Sequence, residues 1–189
     1  MEHLSNCLVC GSKKIINKKS LIDYSLTKET FSLYRCLSCG VDFTNPRPKK
    51  DRIKKYYDLK KYDSYNKKSG FFGFIYSFIQ KLNNSYKTSL LKKHKTGSLL
   101  DYGAGSGSFV NHTQKRGYTS FGYEPINELK HNSIYKNKNI IKKQKYDWVT
   151  LWHVLEHTHN PKDTLSDLRG LLNKDGLMAV AIPNINSYD

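Results

Sequence analysis

Three stretches of the chain combine residue types and spacings that suit chemistry. The first is a matching pair, CLVCG at 7–11 and CLSCG at 36–40, which together use all four cysteines: Cys7, Cys10, Cys36 and Cys39. Two residues between thiolates let one tight turn aim both sulfurs at a single ion. Two such turns make a closed tetrahedral site of the structural zinc type. The glycine after each pair tolerates a positive φ and lets backbone N–H groups approach the sulfurs. Disulfides are disfavoured in a lysine-rich chain whose first residues, MEHLSNCLVC, carry no secretory pattern. A redox C-x2-C would stand once, beside a βαβ unit. The four cysteines therefore read as ligands of a structural Zn2+.

The second stretch is LLDYGAGSGSF at 99–109, followed by GYEP at 122–125. Gly103, Gly105 and Gly107 stand at every second position behind Asp101. A dinucleotide fingerprint, G-x-G-x-x-G, needs glycine where Ser108 stands, so that pattern fails. Asp101 argues the same way: a carboxylate there repels a pyrophosphate and attracts an ammonium group, directly or through water. Glu124 sits where an acid after a second strand accepts hydrogen bonds from ribose hydroxyls. An acid near an ammonium and an acid at a ribose describe S-adenosylmethionine (SAM) better than NAD. The plain alternative is a tight strand-to-helix turn with no ligand.

The third stretch, WHVLEHTHN at 152–160, gathers His153, Glu156, His157 and His159. Histidine is the side chain that exchanges protons near neutral pH, so His157 and His153 are the candidate general bases. Packing of a loop and a helix start competes with that reading, and a second metal site at Glu156–His157 is a third. Asp147 starts the same strand at the end away from ligands and reads as structural.

These residues need a scaffold that places them together. IINKKSLIDYSLTKETFSLYR, between the cysteine pairs, alternates in the manner of short strands and is too small to fold without a metal. Pro46 and Pro48 impose an extended stretch, after which a helix can start near Lys50. Phe71, Ile75, Phe78, Leu82, Tyr86 and Leu90 follow at helical spacing. They predict a helix packed on the main domain, with a basic amphipathic membrane-surface helix as the alternative. Tyr62 and Tyr65 are either a lid over the cofactor or surface aromatics.

From residue 98 the pattern alternates. Strands are predicted at SLLDYG (98–103), TSFGYEP (119–125), NIIKK (139–143), DWVTLWHV (147–154) and LMAVAIPN (177–184). Helices are predicted at SGSFVNHTQKR (106–116), INELKHNSIYK (126–136) and PKDTLSDLRGLL (161–172). Such alternation makes an α/β, doubly wound, mostly parallel sheet with ligands beyond the carboxyl ends of its strands. The domain reading is a zinc ribbon over 1–48, a helical linker over 49–96 and the cofactor-binding domain over 97–189.

LLDYGAGSGSF, then GYEP, then YDWVTLWHVLEH resemble the class I SAM-dependent methyltransferases. The resemblance covers about residues 97–184 and implies a Rossmann-like fold. It implies that Asp101, Tyr102, Gly103, Ala104, Gly105 and Gly107 hold the methionine portion, and Glu124 with Pro125 the ribose. Leu151, Trp152 and His153 then line the cofactor and substrate side. The leading CLVCG…CLSCGVDFTNPRP is similar to a subgroup with an N-terminal zinc ribbon, whose members are often linked to saccharide modification. The family pattern also has an acidic or polar residue after the third strand for the adenine amino group, and NIIKKQKYDW offers no clear equivalent. Family sheets have seven strands, whereas the sequence stops after its fifth, so the resemblance implies missing last strands, an exposed edge strand and a missing part of the substrate wall.

Composition bounds the partners. The 189 residues carry a net charge of +16, mostly lysine, with 38% hydrophobic residues. The lysines are scattered, which suits a solvated surface, although a polyanion site competes. The acceptor that the resemblance implies is a small molecule or saccharide. An RNA methyltransferase gripping phosphates through ribbon and lysines is one alternative, and a non-enzymatic SAM-binding module another. No stretch reaches the roughly 18–20 apolar residues of a membrane span, and the chain reads as cytoplasmic.

Overall fold

The computed structural model describes residues 1–24, 26–56, 70–91, 96–126, 131–185 and 187. Two compact units emerge. The first comprises residues 1–62, 159–163 and 184–189, and the second residues 63–158 and 164–183.

In the first unit, β1 (Ile15–Ile22), β2 (Thr30–Cys36) and β3 (Asp42–Thr44) form an antiparallel sheet in that order. Ile15 stands opposite Cys36 and Ile22 opposite Thr30, so the β1–β2 hairpin spans the stretch between the cysteine pairs. Asp23 shapes its turn by accepting hydrogen bonds from the backbone N–H groups of Leu26 and Thr27. Buried Cys7, Cys36 and Phe43 form a core with few apolar partners. Arg35 clamps Asp42 through two hydrogen bonds of 2.8 and 2.7 Å, tying β2 to β3. The helix expected near Lys50 is, among the described residues, a single 3₁₀ turn at Ile53–Tyr56. Tyr62 and Tyr65 lie outside the described residues.

The second unit is a parallel five-stranded sheet. Its strands are β4 (Gly97–Tyr102), β5 (Tyr118–Tyr123), β6 (Ile134–Tyr135), β7 (Tyr146–Trp152) and β8 (Leu172–Ala181), in spatial order β6-β5-β4-β7-β8. This is a doubly wound, Rossmann-like parallel sheet, with the strand order reversing between β4 and β7, where ligands are expected. Successive β4 residues serve opposite faces. Leu99 joins Leu91, Phe109, Tyr118 and Trp148 on one side, while Leu100 joins Ile141, Val149, Leu151 and Leu168 on the other. A strand buried on both faces reads as a continuous apolar run, which is why SLLDY looks as it does. The first face is covered by α2 (Ser108–Gln114) and by Leu91, just past the end of α1 (Gly70–Ser89), the second by α3 (Lys138–Ile141) and α4 (Pro161–Arg169).

Three sequence expectations are corrected. NIIKK forms no strand: Lys138–Ile141 is a helical turn, capped where the Asn137 side chain accepts from the Asn139 N–H at 2.9 Å. Its β-branched pair needs only one anchor, Ile141, which is fully buried. The third strand is instead Ile134–Tyr135, inside the stretch expected to be helical. Residues 127–130 of that stretch lie outside the described ones. Finally, α1 turns its polar edge inward. Asn84 and Thr88 are buried, whereas Phe78, Leu82 and Tyr86 stand in solvent. The reason is close approach, since the Asn84 amide donates to the Ser108 hydroxyl of α2 at 2.9 Å. Among the described residues no helix is long and apolar enough to cross a membrane.

Candidate functional site

The cysteine pairs converge. Their sulfurs all lie within 4.8 Å of one another, with Cys7–Cys39 at 3.7 Å and Cys10–Cys36 at 3.6 Å. Four thiolates about 2.3 Å from one ion stand about 3.8 Å apart at the corners of a tetrahedron, so the set fits zinc. Each turn is closed identically. Gly11 N–H donates to the Cys7 carbonyl at 2.9 Å and Gly40 N–H to the Cys36 carbonyl at 2.8 Å, both glycines at positive φ. Burial opposes ionisation of Cys36, but backbone N–H groups of Cys39 and Ser38 and the Cys10 thiol bring its pKa down to about 6. Among the described residues this is the only cluster of three or more potential metal ligands, so Glu156–His157 does not gather a second set.

The glycine loop runs from the carboxyl end of β4 into α2. Gly103, Gly105 and Gly107 have φ of 82°, 51° and 78°. A Cβ at Gly103 would lie 2.3 Å from Val154 Cγ2, and one at Gly107 2.5 Å from Ile134 Cδ1. At Gly105 a Cβ would meet nothing within 4 Å. On its side-chain side that glycine therefore faces space that the described protein atoms do not fill. The Tyr123 carbonyl, at the end of β5, accepts from Gly103 N–H at 2.7 Å and Ala104 N–H at 3.1 Å. Glu124 comes next. Its carboxylate accepts from Gly105 N–H at 3.1 Å and from Ile126 N–H at 3.2 Å. The loop and the acid after β5 are thus one hydrogen-bonded assembly.

Asp101 stands behind that assembly. It is 3% exposed and its Oδ1 accepts from the Thr150 hydroxyl of β7 at 2.8 Å. Burial pushes its pKa up to about 6, against the Thr150 hydrogen bond and the charge of Lys87. Lys87 of α1 places its ammonium 5.0 Å from the ring centroid of Trp152 and 5.8 Å from that of Phe109. Burial lowers the proton affinity of Lys87 while Asp101 raises it. The Trp152 Nε1–H is buried without a hydrogen-bond partner among the described residues. Lys87 and Thr150 were not read from the sequence. Thr150 gave a signal, as a hydroxyl inside an apolar strand, whereas the Lys87 side chain gave none.

Not every candidate side chain reaches the crevice. Tyr102 packs its ring against Tyr123, tilted by 31° with centroids 4.8 Å apart, and Leu151 is fully buried, so only their backbone is available there. Pro125 is exposed beside Glu124. His153 is exposed and holds φ at 57°, a strained value for a residue with a Cβ. Its Nδ1 lies 3.7 Å from Glu156 Oε1. His157 closes a 3₁₀ turn, Leu155–His157. His159 departs from the group: it belongs to the first unit, with Nε2 3.1 Å from the Pro48 carbonyl and 3.4 Å from Glu2 Oε1. Asp147 is structural. It accepts from the Ser98 N–H and hydroxyl at 2.8 and 2.9 Å, and from Asn173 at 2.6 Å.

A family model described as a methyltransferase domain matches residues 75–189. The chain belongs to that methyltransferase family. No curated protein matches it. Among solved structures, this methyltransferase-family chain is similar to a SAM-dependent methyltransferase from Archaeoglobus fulgidus, at 21% identity over 63% of this chain and 61% of that one, with a TM-score of 0.48. It is also similar to DesVI of Streptomyces venezuelae, at 15% identity over 61% and 59%, with a TM-score of 0.44. A third is the ribosomal protein L11 methylase from Lactobacillus delbrueckii subsp. bulgaricus, at 17% identity over 52% and 57%, with a TM-score of 0.40. The chain spans less than two thirds of the length of each.

Proposed function

We propose that the crevice above the glycine loop binds S-adenosylmethionine and that the chain serves methyl transfer to a small-molecule or saccharide acceptor. The observation that carries this reading is the junction of the glycine loop with the acid after β5, where the Gly105 N–H donates to the Glu124 carboxylate at 3.1 Å. Both oxygens of that carboxylate keep lone pairs for ribose hydroxyls, since each accepts one backbone N–H. The bound cofactor would supply a methyl group made electrophilic by a sulfonium. The residues of the chain align and shield. Gly103, Ala104, Gly105 and Gly107 offer backbone to the amino-acid portion. Asp101 acts through its field rather than by contact, because it is buried. Its negative charge favours a cationic ligand in front of the loop. Asn137, which follows the third strand, is the polar residue for the adenine amino group, a position NIIKK had obscured.

His153 and His157 are the candidate bases for an acceptor that must lose a proton. The strained backbone of His153, at the carboxyl end of β7, supports that assignment because strain of this kind collects at functional sites. The four cysteines hold zinc in a structural role. The saccharide element of the proposal rests on the combination of a cysteine ribbon with this methyltransferase domain. Calorimetric titration of S-adenosylhomocysteine tests the site. Glu124→Ala removes a charged acceptor and is expected to weaken binding about ten- to a hundredfold. Unchanged affinity in that variant would remove Glu124 from the site.

A further inference from the structure

The outer face of α1 is apolar and uncovered by the described residues. Phe74 is 72% exposed, Phe78 55%, Leu82 55% and Tyr86 65%, and Ile79 and Leu90 share the surface. The i, i+4 spacing of Phe74, Phe78, Leu82 and Tyr86 makes one stripe along a helix of 20 residues. Single exposed apolar side chains are ordinary, but a contiguous stripe of this kind marks a contact surface.

Charge selects the partner. Residues 70–91 and 108–117 carry Lys81, Lys87, Lys115 and Arg116 and no carboxylate. Lys81, Lys115 and Arg116 are exposed and cluster around His112, whose proton affinity falls first through burial and then through these three charges. Arg116 donates to the Ser85 hydroxyl at 3.1 Å, which sets a cation at the edge of α1. A second copy of this chain would bring the same cations against one another, with no acid on the face to meet them. A nucleic acid would satisfy the cations but not a stripe of phenylalanine, isoleucine and leucine. An anionic bilayer satisfies both. Apolar side chains enter the boundary between headgroups and acyl chains, and lysine and arginine meet the lipid phosphates.

We propose that α1 is a membrane-surface helix that seats the chain on anionic lipid through Phe74, Phe78, Ile79, Leu82 and Tyr86, flanked by Lys81, Lys115 and Arg116. This goes beyond the cofactor reading and is independent of it. The test is flotation of the full chain with vesicles of phosphatidylcholine, with and without about a third phosphatidylglycerol. The chain is expected to float with the anionic vesicles and not with the neutral ones. Raising salt from about 0.05 to about 0.5 M is expected to reduce the bound fraction several-fold. Phe78→Glu with Leu82→Glu is expected to lower it about tenfold or more, and Phe78→Ala with Leu82→Ala to lower it by less. Both pairs are solvent-exposed, so tryptophan fluorescence should match the parent chain. Absence from anionic vesicles, or flotation unaffected by both pairs of substitutions, overturns the proposal. So does sedimentation showing a dimer that the glutamate pair splits without any lipid effect, or RNA retention that the glutamate pair abolishes while vesicles are ignored.

Discussion

Asp101→Asn is expected to stabilise the second unit at neutral pH. Burial holds the Asp101 carboxyl at about 6, against an ordinary 3.8. A carboxyl raised in this way binds its proton more tightly in the folded chain than in the unfolded one. Its contribution is therefore most favourable below about pH 4 and is lost as pH rises through about 6. Two units of pKa correspond to about 3 kcal/mol, which is the gross cost of the buried charge at pH 7.5. Asparagine removes the charge and keeps an oxygen for the Thr150 hydroxyl, now 2.8 Å away. It also deprives Lys87 of an attractive neighbour, which returns part of the gain. The expected net effect is about 1–2 kcal/mol of added stability at pH 7.5, shrinking as pH falls through about 6 and gone below about pH 4. Urea unfolding followed by tryptophan fluorescence measures it, because Trp148 and Trp152, the only tryptophans, both lie on β7. Lower stability of the variant at pH 7.5, or a gain that persists unchanged at pH 4.5, would refute the reasoning.

Other consequences are simpler to read. Gly105→Val puts a β-branched residue at a φ of 51°, where a Cβ meets no described atom within 4 Å, so it is expected to cost about 1–2 kcal/mol in thermal unfolding while abolishing SAM binding by calorimetry. Removing zinc with a chelator is expected to release a single metal equivalent and make residues 1–56 protease-sensitive, and Cys36→Ser should reproduce that sensitivity without chelator. Asp147→Ala strips the acceptor shared by Ser98 and Asn173 and is expected to cost about 2–4 kcal/mol in urea unfolding.

How much of this was legible in the sequence depended on the reach of each interaction. The cysteine pairs, the strand before Gly103 and the helix opened by Pro161 are local signals, and the structure forms all of them. NIIKK misled because β-branched residues favour strands in general, whereas a four-residue turn with a single buried anchor places little demand on propensity. The stripe on α1 misled differently. Periodicity finds an apolar face but not what that face meets, and here Asn84 took the inner side by bonding to Ser108 of α2, while Thr88 bonds back to the Asn84 carbonyl. Asp101 was found by position, yet its burial against Thr150 depends on a strand 49 residues away. His159 looked like a member of the histidine group, but its partners are Pro48 and Glu2, more than a hundred residues upstream. Contacts of that reach have no local pattern to read.

The central claim is that a cationic nucleoside, and not a pyrophosphate, occupies the crevice formed by Gly105 and Glu124. Side-by-side calorimetric titrations of the zinc-loaded chain with SAM and with NAD test it most directly. The account predicts saturable heat with SAM and none with NAD. Saturable binding of NAD with no response to SAM would contradict it.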